Sequence, residues 1–468
     1  MKKKILLFTC LSIFNLSSHS QDSLKYYLDL AAKNNPAVLQ KLAEYKAALQ
    51  KVPQVGSLPD PDINVGVFLS PMEQLSGNQA ADIRLMQMFP WFGVLKNAKD
   101  EMSLMAKSKF ELYRDTKLQV GYDLQRSWYE LHKIRQNIRF SERNLSLLRM
   151  LERLATAKFQ SVPSGNSAAA SGNGSFKAPV SNQPTGSSGM NTMGNNPSGA
   201  QPASPMAGNA MGTNAAASGL AEIYRIQLEI NDLQNNLESL KEQWKTSSAQ
   251  FNSLLNRSQN DPVTIPDTLV AGTFLTSRMA LTDSILHNNP MLEMLRYEEQ
   301  SLESRKLMVT RMGYPMIGLG VNYSLINKSE MSTSAMNGKD MIMPMVTVTL
   351  PIYRKKYKAL QAEAALLKTA NTQNIKSTAN ALQAESFQAN QAFLDAERRV
   401  KLYRNQYDLA SRTTDILVKG FASSGTGLSD ILRVRQQMFD YGYRQMEALA
   451  DVNIAIAWLR RLGNLEMP

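Results

Sequence analysis

The two halves of this chain are copies of one another, and that duplication limits its folds more than any single motif does. NNPAVLQKLAEY from Asn34 returns as NNPMLEMLRYEE from Asn288, an offset of 254 residues. The same offset joins Pro61 to Pro315, Ile63 to Ile317, Val65 to Leu319, Gly66 to Gly320 and Val67 to Val321. Farther on, Phe89-Pro90 corresponds to Leu350-Pro351, Lys158-Phe159 to Gly420-Phe421, GLAEIYRI from Gly219 to GLSDILRV from Gly427, and LLN at 254–256 to LGN at 462–464. Matches that keep their order through most of each half mark a tandem repeat, so both halves must solve the same folding problem. The division that follows is a first repeat over 21–257, a connecting segment over 258–277 and a second repeat over 278–468. Each repeat reads helix, strand, strand, long helix, turn, long helix.

The helical parts carry a seam. Ile223, Ile226, Ile230, Leu233, Leu237, Leu240, Trp244, Phe251 and Leu254 follow alternating steps of three and four, with Ser247 as the polar position. The second copy places Ile431, Val434, Met438, Tyr441, Ala448, Val452, Ala455, Leu459 and Leu462 likewise, with Gln445 polar. Leu124, Leu131, Ile138 and Leu145 recur at seven-residue steps in the ascending helix of the first copy. Long helices are expected at about 92–160, 219–256, 353–421 and 427–463, the first on the order of 100 Å long at 1.5 Å per residue. On helices alone a soluble bundle would be the natural reading.

The strands overrule it. At about 61–70, Ile63, Val65, Val67 and Leu69 alternate with Asp62, Asn64, Gly66 and Phe68; at about 315–325, Ile317, Leu319, Val321 and Tyr323 alternate with Met316, Gly318, Gly320 and Asn322. The return strands, about 81–90 and 341–351, put Ile83, Leu85 and Phe89, or Ile342, Val346, Val348 and Leu350, on one face. Their opposite faces carry Arg84, Met86 and Met88, or Met343, Met345, Thr347 and Thr349. Such segments match the length of tilted strands crossing a bilayer, with one apolar face and one mixed face suited to a wet lumen. Four strands cannot close a barrel, and their edges cannot be left in lipid. Three chains would supply twelve strands and arrange the long helices as a hollow cylinder. The expected fold is therefore an α+β membrane protein: a homotrimeric, 12-stranded β-barrel continued by a long α-helical barrel.

The ends and the composition agree with export. Lys2, Lys3 and Lys4 precede an apolar run from Ile5 to Leu16, and Ser18 and Ser20 offer small residues for cleavage before Gln21, which reads as a signal peptide over 1–20. Its removal lowers the formal charge from +12 to about +9 and takes away Cys10, the only cysteine. Leu7, Phe8 and Thr9 make a poor lipobox for that cysteine. No apolar run in the chain is long enough for a transmembrane helix. Three histidines and one cysteine leave little for thiolate zinc or His-based catalysis, and His132 and His287 stand alone. No enzyme activity and no cofactor are expected. The basic balance has neither a Lys/Arg run nor an aromatic platform for nucleic acid. Residues 161–218, almost wholly Ser, Gly, Asn, Ala, Pro and Met, cannot bury a core and read as a tolerated linker insertion at the first tip turn, with contact to a partner as the other reading.

Repeated helix–hairpin–helix–helix halves behind an export signal resemble the TolC outer-membrane efflux family over nearly the whole mature chain. SLPDPDINVGVF (57–68) and QMFPWFGVLKNAKDEM (87–102) look like that family's first strand and its strand-to-helix junction in metal and drug efflux members; GTGLSDILRVRQQ (425–437) looks like its periplasmic tip. The resemblance implies an outer-membrane channel with a periplasmic extension, in contact with outer-membrane lipid, and passive transport. It implies as partners an inner-membrane transporter, of RND type, and a periplasmic adaptor. A type I protein-secretion channel shares this architecture, and a soluble periplasmic coiled-coil scaffold or adaptor is the competitor from another class.

The resemblance carries the family's tip aspartate onto Asp430, where the first copy has Glu222. Glu222 with Arg225 and Asp430 with Arg433 repeat an acid–base pair three residues apart. They are candidates for the periplasmic gate, where threefold symmetry would gather six carboxylates; as ordinary helix pairs they would contribute only a few tenths of a kcal/mol each. Met86, Met88, Met316, Met343 and Met345 fall on the inferred lumen faces. Thioethers suit Cu(I), but adaptable apolar filling is the simpler reading of methionine. No metal site is assigned from sequence.

Overall fold

The computed structural model describes residues 23–74, 76–161, 214–274, 278–422 and 428–465. The signal peptide, nearly all of the 161–218 insertion and the Gly425–Gly427 tip turn lie outside the described residues. In chain order the elements are α1 (Ser23–Asn34), α2 (Pro36–Gly56), β1 (Asp62–Gln74), β2 (Gly77–Phe89), α3 (Val94–Ser161) and α4 (Asn214–Leu254). The second half repeats them as α5 (Arg278–Asn288), α6 (Pro290–Met312), β3 (Met316–Asn327), β4 (Met341–Thr349), α7 (Arg354–Ala422) and α8 (Leu428–Leu462).

The leading helix of each half is two helices, not one. Asn-Pro breaks it: Pro36 and Pro290 lack the N–H a continuing helix would need, and Asn35 and Asn289 cap the second piece. The Asn35 Oδ1 accepts from the Ala37 N–H at 2.9 Å and the Asn289 Oδ1 from the Met291 N–H at 3.0 Å. Each asparagine also ties its half together. The Asn35 Nδ2 donates to the Leu254 carbonyl at 2.8 Å, and the Asn289 Nδ2 donates to the Leu462 carbonyl at 3.1 Å. These are the orphan carbonyls at the ends of α4 and α8, and both helices then leave through a left-handed asparagine, Asn256 at φ 52° and Asn464 at φ 50°.

The four strands form one antiparallel sheet in the order β1-β2-β3-β4. β1 and β2 run on past the expected ends to 13 residues each, because their pairing continues to Gln74 opposite Gly77. α3 and α7, 68 and 69 residues long, descend from the sheet, and α4 and α8 return. α4 begins at Asn214, inside the stretch expected to be linker. About midway along α3 and α7 each half has its own core: Tyr27, Leu124, Trp128, Leu131 and Phe251 in the first, Ile285, Leu292, Leu382, Leu459 and Leu462 in the second. At the far end Leu148, Ile226, Ile230, Phe421, Leu428 and Ile431, from all four long helices, share one core.

The seams hold over most of their length, with local departures. In α4 the buried positions shift from the expected Ser247 and Leu254 to Ser248 and Leu255. In α3 Ile134 is buried and Ile138 only half so. A 3.6-residue helix drifts about 20° per heptad against a 3.5-residue seam, which moves the buried stripe by one residue over roughly ten turns.

Candidate functional site

The sheet is inside-out. Along β3 the small and polar positions Gly318, Asn322 and Ser324 are buried, whereas Ile317, Leu319, Val321 and Leu325 are exposed. A sheet packed on a water-soluble core would show the opposite. Register settles which side chains share a face. One face reads, row by row across the strands, Ile63–Leu85–Val321–Pro344, Val65–Ile83–Tyr323–Ile342, Val67–Ala81–Leu325, Gln87–Leu319–Val346 and Phe89–Ile317–Val348. The other reads Asp62–Met86–Gly320–Met345, Asn64–Arg84–Asn322–Met343, Gly66–Asp82–Ser324–Met341, Met88–Gly318–Thr347 and Met316–Thr349.

All five methionines singled out from sequence, Met86, Met88, Met316, Met343 and Met345, therefore sit on the polar face. Met341 joins them; sequence reasoning passed it over although it shares the parity of Met343 and Met345. The polar character comes from Asp62, Asn64, Asp82, Arg84, Asn322 and Ser324, with the Ser324 hydroxyl 3.3 Å from the Asp82 carboxylate and from the Gln79 amide.

At the end of the sheet where the helices begin, aromatic and basic side chains collect. The Trp91 and Tyr314 rings stack with centroids 5.4 Å apart, and Phe92 and Tyr353 are 80% and 79% exposed. Gly93, at φ 87°, leaves the space that Arg311 uses to cross the junction and donate to the Phe92 carbonyl at 3.1 Å. A Cβ there would stand 2.8 Å from Arg311 Cδ. Lys96 and Lys99 in α3, and Arg354, Lys355, Lys356 and Lys358 in α7, are all exposed at this level. Farther down, Arg305 pairs with Glu363 at 3.1 Å and Lys368 with Glu303 at 2.7 Å.

At the opposite end, Asp430 lies in the first turn of α8 and its carboxylate accepts from the Arg433 guanidinium at 3.0 Å. Both are more than half exposed, so the pair is worth little by itself. Glu222 is half-buried and Arg225 exposed, and the two are not joined by an ion pair. The repeated sequence spacing thus produces a bonded pair in the second copy alone.

Arg435, one turn farther along α8, was not singled out from sequence. It is 4% exposed, donates to the Asn144 carbonyl of α3 at 3.2 Å and lies 5.6 Å from the Phe439 ring centroid. Burial pulls its guanidinium down to about 10, against the opposing pull of Glu229. Leu428, Ile431, Arg435, Met438 and Gly442 are buried at alternating steps of three and four, so the buried stripe of α8 runs through Arg435 where the sequence seam has Val434.

No protein-family model matches the sequence, and no curated protein does. Solved structures match along nearly the whole chain. The open state of the MtrE outer membrane channel of Neisseria gonorrhoeae aligns at TM-score 0.65 and 12% identity, covering 95% of this chain and 89% of that one. The CmeC outer membrane channel of Campylobacter jejuni aligns at 0.63 and 14%, covering 95% and 86%. The outer membrane protein VceC of Vibrio cholerae aligns at 0.67 and 10%, covering 94% and 96%. At such identities the likeness is one of architecture, and this chain has the fold of the outer-membrane channels.

Proposed function

We propose that the protein is the outer-membrane channel of a tripartite efflux system, a passive homotrimeric conduit with no reaction of its own. The observation that carries this is the inside-out sheet. The positions of its rows that are buried, Gly318, Asn322 and Ser324, all lie on the polar face, none of the aliphatic-face positions is buried, and β1 and β4 leave two strand edges unpaired within the chain. In a bilayer those edges must pair with other copies. Three copies close twelve strands around the polar face, turn the aliphatic face to lipid and gather the long helices into a periplasmic tube. Trp91, Phe92, Tyr314 and Tyr353 then stand at the level of the headgroups, where such rings are favoured. The helical end would meet a periplasmic adaptor and an inner-membrane transporter of RND type.

Membrane fractionation and gel mobility with and without boiling test this directly. The expected result is an outer-membrane protein that runs as a trimer unboiled and as a monomer boiled. A monomer soluble in detergent-free buffer would overturn the reading.

The acidic tip positions Glu222 and Asp430 would line the periplasmic mouth, attracting cations and holding the aperture narrow. Support comes from the place of Asp430 in the first turn of α8 and from the Asp430–Arg433 bond. Glu222→Ala combined with Asp430→Ala is expected to raise single-channel conductance in planar bilayers and to weaken cation preference. Unchanged values for both would remove the gate.

A further inference from the structure

We propose that the lumen face of the sheet carries a thioether site for a soft monovalent cation, Cu(I) or Ag(I), built from Met86, Met88 and Met345 over the notch at Gly318 and Gly320. The inference rests on the channel reading and names a cargo for it.

The first ground is where the methionines fall. On the helix side of the register shifts at Val67/Met72 and Gln79/Ala81, the rows of the polar face contain seventeen positions, six of them methionine; the seventeen positions of the aliphatic face contain none. An apolar filler gains most on the face that meets lipid, and there the chain uses Ile, Val and Leu. In these rows methionine is confined to the face where its hydrophobicity is least useful and its sulfur is reachable from water.

The second ground is convergence. Measured from where a Cβ on Gly318 would stand, the Met88 Sδ lies at 2.6 Å and the Met86 Sδ at 3.6 Å, so two sulfurs share one glycine notch. The Met86 Cε reaches 3.4 Å from the matching point on Gly320. Gly320 is the residue between Met86 and Met345 in its row, so no side chain separates those two thioethers. Asp62 ends the same row beside Met86 and supplies a negative charge near a cation held there.

The chemistry selects the ligand. Neutral thioethers bind soft, polarisable Cu(I) and Ag(I) and are poor ligands for Mg(II), Ca(II) and Zn(II), which seek oxygen, nitrogen or thiolate. Binding to a thioether releases no proton and carries no ligand charge, so the hold is modest and reversible, as passage through a conduit requires.

The test uses the purified full-length trimer in detergent, titrated calorimetrically with silver nitrate. The expected result is Ag(I) binding that weakens by at least about tenfold in the variant M86L/M88L/M345L, with no loss in M331L/M336L, whose methionines lie in the β3–β4 loop. Leucine keeps the volume, and an unboiled trimer band shows that the variant assembles. Should it not assemble, M345L alone is expected to weaken binding at least threefold or so. Sulfur as the metal neighbour in the X-ray absorption of the Cu(I)-loaded trimer is the second expected readout. Unchanged Ag(I) affinity in the leucine variant that assembles, or no binding by the unmodified trimer, would overturn the site. Pore conductance of the same preparations reports separately on the channel reading, so the two failures are distinguishable.

Discussion

Asn35 and Asn289 each do two things that the sequence displays only as a repeated Asn-Asn-Pro. They cap a helix and close its half by bonding the last carbonyl of the returning helix. Both are buried, so Asn35→Ala removes a cap and leaves the Leu254 carbonyl without this donor; a cost of about 2 kcal/mol is expected, read from denaturant unfolding. His132 is the other residue with a measurable signature. It is 1% exposed against Trp128, and burial, reinforced by Arg135, lowers it to about 4 from its ordinary value. The unfolded chain therefore takes up this proton before the folded one does. Its stability is retained above about pH 6.5 and falls as pH drops toward about 4, by up to about 3 kcal/mol. Thermal unfolding of His132→Leu is expected to lose that part of the pH dependence, and an unaltered slope would contradict it. That His132 stands apart from any carboxylate cluster was legible in the sequence; that it is buried was not, because it lies beside the Leu131 seam position and not on it.

At the scale of elements, period-two alternation in the strands was the most legible feature, since successive side chains on a strand must point to opposite faces. What alternation leaves open is which face meets lipid and which row each residue joins. Register answers the second: Met86 shares a row with Gly320 and Met345, three segments separated in sequence. Adjacent residues on opposite faces give a direct check. Val65→Lys places a charge toward lipid and is expected to cost about 2–4 kcal/mol near the bilayer centre, visible as loss of the unboiled trimer. Asn64→Lys, one residue away on the lumen face, is expected to assemble normally and shift ion selectivity alone. The helical seams were less faithfully legible. The drift between 3.5 and 3.6 residues per turn carried Ser248 inward, the buried stripe of α8 took in Arg435 in place of Val434, and the Asn-Pro break made two helices where one was expected.

At the scale of the molecule, the junction between sheet and helices brings Lys96, Lys99, Arg354, Lys355, Lys356 and Lys358 to one level beside the aromatic ring of Trp91, Phe92, Tyr314 and Tyr353. Four cations opening α7 oppose its helix dipole, an arrangement relieved by anions at that level. Reconstituted in mixed vesicles, the trimer is expected to enrich anionic over zwitterionic phospholipid in its shell. Replacing Arg354, Lys355, Lys356 and Lys358 by Gln should abolish the enrichment, each cation being worth about 1 kcal/mol at such a surface; equal lipid shells around both proteins would refute this. Duplication, helix length, strand alternation and the placement of Met86, Met88, Met316, Met343 and Met345 on one face were determined by the sequence alone, because local periodicity dictates which side chains share a face. Only the tertiary structure decided that Gly318, Asn322 and Ser324 on the polar face are buried while the aliphatic positions beside them are not, that the asparagine caps close each half, that Glu222 and Arg225 stay apart while Asp430 and Arg433 bond, and that methionine sulfurs converge over glycine. Those outcomes depend on strand register and helix packing between segments hundreds of residues apart, which no local pattern encodes.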